Sequence, residues 1–237
     1  DLIDDDGLSF QQSWFNQPLF STITIDVFYP DQIDSEEALR LFLNKATKPH
    51  GLTLTSNITL SGPITIATGQ NFTINMNVYT ISRGLTSAVD NGSVFIVQEG
   101  GTLTINDDSA EGHGTITGGC TTGMGGGIYN AGTLTINNGN ILKNESSQGG
   151  GGVANYGMCT INGGFIVRNN AAMNGGGIWN AGTMVINGMK ITNNEYLERR
   201  IGRAVSSLDQ DCPDIVDRLW ETTVRKASGG EWYLERS

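Results

Sequence analysis

The segment Gly125-Gly-Gly-Ile-Tyr-Asn-Ala-Gly132 recurs twice at a fixed spacing in this chain. It returns as Gly150-Gly-Gly-Val-Ala-Asn-Tyr-Gly157 and as Gly175-Gly-Gly-Ile-Trp-Asn-Ala-Gly182, 25 residues later each time and without a gap. The match continues into aliphatic and amide positions downstream, namely Ile136/Ile161/Ile186, Ile141/Ile166/Ile191 and Asn144/Asn169/Asn194. A repeat of this period indicates a chain of similar units, each of which stacks on the next.

Each repeat contains short β-type runs separated by glycine and asparagine turns, and none holds a helix-length stretch with 3.6-residue periodicity. This pattern favours a solenoid in which successive coils pair at about 4.8 Å. Equivalent residues then stack in columns, and Thr133, Thr135 and Thr160 should point outward. Three columns should point inward: Ile136/Ile161/Ile186, Ile141/Ile166/Ile191 and Leu134/Cys159/Met184.

The recurring asparagines are typical of turns, because Asn tolerates the left-handed conformation. Stacked side-chain amides can also hydrogen-bond to one another along a ladder. The sequence therefore predicts two structural ladders: Asn130/Asn155/Asn180 and Asn144/Asn169/Asn194.

Composition excludes several classes of protein. The 237 residues include 33 Gly and 3 Cys, 16% are charged, and the net charge is −10. This acidity argues against nucleic-acid binding, which requires phosphate neutralisation. No apolar run approaches the roughly 18 residues of a membrane span. The sequence has no Cys-x-x-Cys, no histidine cluster and no phosphate loop, so we expect neither metal nor cofactor.

The GGGIYNAGTLTI…N unit resembles the glycine-rich repeats of bacterial surface and adhesin-type proteins of the pectin-lyase-like superfamily. The stretches 52–66 and 71–75 resemble the first coils of those proteins. The resemblance implies an all-β fold, a right-handed parallel β-helix, over residues 51–194. It also implies a secreted or cell-surface location. It does not imply one activity, because the superfamily contains lyases, hydrolases, adhesins and inert stalks.

Both ends of the solenoid should carry short helical caps, because an open end exposes a strand edge. In the N-terminal segment 1–50, a helix is predicted over Ser35–Ala46, with Ser35 as N-cap and Leu39, Phe42 and Leu43 on its apolar face. The run 19–29 should form a strand that packs beside the first coil or the cap. Alternatively, a neighbouring subunit receives that strand.

The C-terminal segment 195–237 is predicted to be helical. Residues 196–208 place apolar side chains at helical spacing, and Pro213 is suited to begin a second helix. Caps at both ends would make the chain a complete unit.

Asp107, Asp108 and His113 are weak candidates for catalysis. They superficially resemble the aspartate pairs and Gly-His-Gly of polygalacturonases, where the motifs lie on different coils. Here they lie close together within one glycine-rich excursion, and no Arg-Ile-Lys follows. The default expectation is a solvated turn. Lys143 and Arg168 share one repeat position, which is typical of a solvated outer face.

Aromatic residues offer a candidate ligand surface. Tyr129, Tyr156 and Trp179 flank the Asn130 column on successive coils, where a stripe of rings could stack on sugars. Ring packing or a subunit contact are the alternatives.

The cysteines and the glycosylation triplets do not indicate a function. Cys159 should be buried, and Cys120 would pair with Cys212 only if the C-terminal segment folded back on the coils. The triplets at Asn57, Asn71, Asn91 and Asn144 matter only in a eukaryotic secretory source.

These observations predict a non-catalytic, extracellular structural or adhesive protein that self-associates or binds a cell-surface or matrix glycan. The alternative is a polysaccharide-binding or polysaccharide-degrading protein.

Overall fold

The computed structural model describes residues 31–45, 50–109 and 114–196 and four further strand segments. It contains one described helix, α1 (Glu36–Lys45). The strands of the first half are β1 (Leu2–Ile3), β2 (Ser9–Phe10), β3 (Gln32–Ile33), β4 (His50–Leu54), β5 (Ile58–Thr59), β6 (Ile64–Ile66), β7 (Asn71–Asn75), β8 (Thr80–Ser82), β9 (Phe95–Val97), β10 (Thr102–Asn106), β11 (Thr115–Thr117) and β12 (Cys120–Thr121). The later strands are β13 (Ile128–Asn130), β14 (Thr133–Ile136), β15 (Asn140–Leu142), β16 (Glu145–Ser146), β17 (Val153–Asn155), β18 (Met158–Ile161), β19 (Phe165–Val167), β20 (Asn170–Ala171), β21 (Ile178–Asn180), β22 (Thr183–Ile186), β23 (Lys190–Thr192), β24 (Glu195–Tyr196), β25 (Thr222–Lys226) and β26 (Trp232–Arg236).

Most of these strands belong to parallel sheets that run along a solenoid. Sheet I has the order β3-β4-β7-β10-β14-β18-β22, and sheet II has the order β5-β8-β11-β15-β19-β23. Sheet III consists of β12-β16-β20-β24, and sheet IV consists of β6-β9-β13-β17-β21. From β10 onward, the chain visits sheets I, II, III and IV in turn before it returns to sheet I. The prediction of an all-β parallel solenoid is confirmed.

The register of the sheets confirms the 25-residue period. Thr133 pairs with Met158, and Met158 pairs with Thr183, so equivalent repeat positions are direct neighbours. Upstream coils vary in length, and Gly51 pairs with Thr73 only 22 residues later. Asn106 and Asn137, which are 31 residues apart, are neighbours across one coil spacing. The extra length lies in the excursions between strands, so the sheets continue without interruption.

The core consists of the predicted aliphatic columns. Ile136, Ile161 and Ile186 are all buried, as are Leu134, Cys159 and Met184. In the third column Ile141 and Ile166 are buried, while Ile191 is partly buried against the same cluster. Inward residues alternate with outward ones along each strand, as the two-residue period of a β-strand requires.

One turn position in each regular coil adopts the left-handed conformation. The φ angles are 53° at Lys143, 55° at Arg168 and 53° at Asn193, and Gly118 takes 68° one coil earlier. The sequence predicted only a solvated outer face here. The backbone turns sharply between sheets II and III at this point, and this is why four different residue types share one strained conformation.

The N-terminal helix begins as predicted, with Ser35 as its N-cap. The backbone N–H of Ala38 donates to Ser35 Oγ at 3.3 Å. Leu39, Phe42 and Leu43 are buried, and the rings of Phe42 and Phe72 lie 6.2 Å apart. Arg40 Nη2 donates to the carbonyl of Gly62 at 2.7 Å. The helix therefore packs directly on the first coils.

Two strand pairs in the terminal segments were not predicted. β1 pairs with β2, and β25 pairs with β26, in both cases antiparallel. The predicted C-terminal cap was helical throughout, whereas 222–226 and 232–236 are extended. Adjacent Thr222, Thr223 and Val224 are β-branched, and Trp232 and Tyr233 are aromatic, which favours strands. The predicted strand at 19–29 and the predicted helices at 196–208 and from Pro213 lie outside the described residues, apart from Tyr196 in β24.

Candidate functional site

The first asparagine ladder lies inside the solenoid beside sheet IV. Asn130 Nδ2 donates to Asn155 Oδ1 at 2.6 Å, and Asn155 Nδ2 donates to Asn180 Oδ1 at 2.7 Å. Each amide also reaches the backbone of the next coil, since Asn130 donates to the carbonyl of Met158 and Asn155 to that of Thr183. All three side chains are buried. These amides join coils and leave no polar group for a ligand.

The second ladder is buried at Asn144 and Asn169 and partly buried at Asn194. Asn144 Nδ2 donates to Asn169 Oδ1 at 3.0 Å, and Asn169 Nδ2 donates to Asn194 Oδ1 at 3.1 Å. Backbone groups complete it: Asn144 Oδ1 accepts from the N–H of Gly119, and Asn169 Oδ1 accepts from the N–H of Asn144. Asn144 is fully buried, so its amide is closed to glycosylation in the folded protein. Asn57, Asn71 and Asn91 are exposed.

A third ladder was missed in the sequence. Asn137 donates to Asn106, Asn162 to Asn137, and Asn187 to Asn162, at 2.7–2.8 Å. It lies on the surface at the end of sheet I, where Asn137, Asn162 and Asn187 are exposed. The repeat could have predicted this ladder, because Asn137, Asn162 and Asn187 each directly follow an isoleucine of the Ile136 column.

Asp107 does not lie in the solvated turn expected from the sequence but has a structural role inside the fold. Its carboxylate is buried and accepts hydrogen bonds from the N–H of Gly114 at 2.7 Å, the N–H of Val78 at 3.1 Å and the hydroxyl of Ser109 at 2.8 Å. Burial alone would raise the pKa of Asp107, but these hydrogen bonds outweigh it and hold the pKa below its ordinary value. The carboxylate thus fastens the excursion after β10 to the turn before β8.

Asp108, the neighbouring candidate, has a different environment. Asp108 is exposed, and its Oδ2 accepts from Asn75 Nδ2 at 2.9 Å. His113 lies outside the described residues. Among the residues that the structure describes, no group of three or more His, Cys, Asp or Glu side chains could hold a metal ion.

The two described cysteines are buried thiols. Cys159 lies in the inward column, where burial raises its pKa to about 12. Burial also raises the pKa of Cys120, and the Glu145 carboxylate, which accepts from Cys120 Sγ at 3.7 Å, adds to the shift. A high thiol pKa disfavours the reactive thiolate. The question of a bond to Cys212 falls outside the described residues.

The three aromatic candidates form one cluster on the outer face of sheet IV. The ring centroids of Tyr129 and Tyr156 are 5.4 Å apart, and those of Tyr156 and Trp179 are 4.7 Å apart. The rings are tilted at 39° and 49°, an arrangement that aromatic pairs favour. Tyr156 is 43% exposed and its hydroxyl donates to Met124 Sδ at 2.8 Å. Burial, followed by the charge of Tyr129, raises the pKa of the Tyr156 phenol.

Tyr156 reaches this cluster from a turn. In sheet IV the residue in register between Tyr129 and Trp179 is Ala154, which is fully buried. Its small side chain leaves a gap one coil wide in the outer face. The ring of Tyr156, two residues later, lies between the two flanking rings and covers this gap.

A cavity of about 500 Å³ adjoins the cluster at Tyr129. Ile96, Met124 and Tyr129 supply its apolar surface, and Ile96 is the register neighbour of Tyr129 in sheet IV. Its polar lining includes Asp90, Asn91, Ser93, Thr121 and Thr122. The cavity was not predicted from the sequence, because its walls come from two separate segments, 84–93 and 121–124.

The loop 84–93 is held in place by backbone contacts. Val89 forms a parallel bridge with Thr121, so the loop takes the sheet III position of its coil. The buried Arg83 guanidinium donates from Nη1 to the carbonyls of Asn91 at 2.9 Å and Ser93 at 3.0 Å. Thr122 Oγ1 donates to Asp90 Oδ1 across the two loops. The cavity walls are therefore fixed by the fold.

Comparison of the chain with models of protein families, with curated proteins and with solved structures yields no match. Within the described residues, no helix is both long and apolar enough to cross a membrane.

Proposed function

We propose that the chain is a non-catalytic, extracellular structural or adhesive solenoid of the pectin-lyase-like kind, and that it contacts glycans through the aromatic cluster of Tyr129, Tyr156 and Trp179. The cluster carries this proposal, because it places three partly exposed rings along the coil axis. Aromatic rings with an apolar body and a polar edge suit the alternating faces of sugars.

The distribution of polar side chains supports a non-catalytic role. Two of the three asparagine ladders are buried and bonded from coil to coil. The Asp107 carboxylate is occupied by three donors, whereas a general acid or base needs access to substrate. A degradative activity of the polysaccharide lyase or hydrolase type is the competing proposal, and it would have to use Asp108 and His113.

Retention on immobilised polysaccharides tests the adhesive proposal. We expect Trp179→Ala to weaken binding of the chain to a retaining polysaccharide by roughly five- to tenfold, because a ring contact contributes about 1 kcal/mol. Phe165→Ala is the matched control, since Phe165 is an exposed aromatic residue on sheet II, away from the cluster. Equal retention of the Trp179 variant and the wild type would refute the role of the cluster. Release of soluble fragments from the column would refute the non-catalytic proposal.

Self-association is the other form that a structural role could take. Met158 and Val185 are exposed apolar residues on the outer face of sheet I. Such residues suit contact with a second copy of the solenoid. Size-exclusion chromatography at high concentration distinguishes a subunit of a layer or filament from an individual adhesin.

A further inference from the structure

We propose that the cavity beside Tyr129 is a binding site for one neutral pyranose unit, with the ring of Tyr129 as its stacking surface. The site deepens the proposed function, because it lies at the end of the same aromatic cluster and rests on sheet IV being the glycan-binding face.

The size and lining of the cavity fit a small polar ligand with apolar faces. Its volume of about 500 Å³ falls within the range of roughly 300–1,000 Å³ that is typical of ligand pockets. Tyr129 and Ile96 are neighbours on the outer face of sheet IV and form an apolar floor. One face of the Tyr129 ring is turned to Tyr156, at 5.4 Å, so only the side toward Ile96 can receive a ligand.

The rim supplies hydrogen-bonding groups at the edge of that floor. Asp90, Asn91 and Thr122 are all exposed, and they carry a carboxylate, an amide and a hydroxyl. Thr122 donates its hydroxyl hydrogen to Asp90 Oδ1, which holds the carboxylate beside the cavity lining. The hydroxyl groups of a pyranose could donate hydrogen bonds to the Asp90 carboxylate and accept them from the Asn91 amide.

Charge selects against acidic sugars. Asp90 is the one formally charged side chain among the described residues that line the cavity, and the whole chain has a net charge of −10. A uronic acid would bring its carboxylate toward Asp90, and like charges at close range repel. The nearby Arg83 does not line the cavity, because it is buried behind the loop and donates to the carbonyls of Asn91 and Ser93. The site therefore prefers neutral hexoses to the uronic acids on which pectin-active proteins work.

The cavity is preformed, which lowers the entropy lost on binding. Its two walls are joined by the Val89–Thr121 bridge and by the N–H of Thr122, which donates to the carbonyl of Val89 at 3.0 Å. Gly92 lies so close to the carbonyl of Cys120 that a Cβ would overlap it, so the loop 84–93 packs tightly against β12.

The test is a titration of the full chain with free methyl glycosides, in which binding is monitored by NMR. The probes are methyl glucoside, methyl galactoside and methyl mannoside as neutral sugars and galacturonate as the acidic one. We expect saturable binding of at least one neutral glycoside and none of galacturonate. Ile96→Trp should abolish this binding by filling the floor, and Thr65→Trp is its matched control, since Thr65 is exposed in the same column one coil outside the cavity.

The Asp90→Asn variant tests the role of the negative charge, because asparagine has nearly the shape of aspartate but no charge. The variant should bind the neutral glycoside about tenfold more weakly, because a charge-assisted hydrogen bond is lost. It should also lose the discrimination against galacturonate. Asp108→Asn, which changes an exposed carboxylate outside the cavity, should alter neither affinity.

Three results would overturn the proposal: binding of galacturonate in preference to neutral sugars, unchanged binding by Ile96→Trp, or no binding of any neutral glycoside. Retention of the chain on polysaccharides through Trp179 is a separate measurement, so either proposal can fail without the other.

Discussion

Side-chain amides make many of the polar contacts between neighbouring coils of this solenoid. Asn155 illustrates the extent of the bonding: it accepts from Asn130, and its Nδ2 lies within hydrogen-bonding distance of Asn180 Oδ1 and of the carbonyls of Thr183 and Gly157. Its side chain is fully buried. Removal of one buried member takes a hydrogen-bonding partner from the amides on both sides of it, and each lost bond is expensive because water cannot replace it.

Asn155→Ala should therefore lower the free energy of unfolding by about 3 kcal/mol. Asn162→Ala is the matched control, because Asn162 belongs to the same coil and also joins a ladder, but it is exposed to water. We expect that variant to lose no more than about 0.5 kcal/mol. Urea unfolding of the two variants measures the difference. Equal losses would mean that burial does not determine the contribution of the ladders.

The alternation of residues along each strand could have distinguished these ladders in the sequence. Ile128 and Asn130 are two residues apart and both point inward, whereas Asn137 follows the inward Ile136 by one residue and points outward. The 25-residue period predicted that the asparagines stack, but it does not indicate whether they lie on the inner or the outer face of a sheet. The environment of Asp107 was beyond such reasoning, because one of its donors, the N–H of Val78, lies 29 residues away in the sequence.

At the scale of strands and turns, both the sheets and the corners accept different residue types, but the corners impose one backbone conformation. Sheet IV accepts Ile96, Tyr129, Ala154 and Trp179 at one outward position. The corner between sheets II and III instead imposes one left-handed conformation on Lys143, Arg168 and Asn193. The repeat alignment predicted the common position of these residues. It could not predict their conformation, because Lys and Arg give no signal for a positive φ.

Arg168→Gly should raise the free energy of unfolding by about 1 kcal/mol, because glycine adopts a φ of 55° without the steric penalty of a side chain. The gain is limited by the larger entropy that glycine has in the unfolded chain. Arg168→Ala is the control for loss of the guanidinium, and it should leave stability nearly unchanged. Thermal unfolding of both variants is the measurement. A glycine variant less stable than the alanine variant would contradict the assignment of strain to this corner.

At the scale of the whole molecule, the strand pairings within residues 114–196 join each regular coil to the coils directly before and after it. Stability in such a solenoid is approximately a sum of coil and interface contributions. The period of 25 residues also places matching backbone conformations at equivalent points: Gly150 has a φ of 65° and Gly175 has a φ of 57°. Residue 149 could therefore be followed by Gly175 without a change in the path of the chain.

Deletion of residues 150–174 should give a shortened protein that still folds. β14 would pair with β22 in the present register, which brings Leu134 onto Met184 and Asn130 onto Asn180. We expect a retained β-type circular dichroism spectrum and a single cooperative transition at a lower temperature. Deletion of residues 150–161, about half a coil, is the control, and it should abolish folding because apolar columns would face polar ones. If both deletions unfolded the chain, the coils would not be interchangeable units, and the solenoid would instead depend on features particular to each coil, such as the Tyr156 ring that covers Ala154.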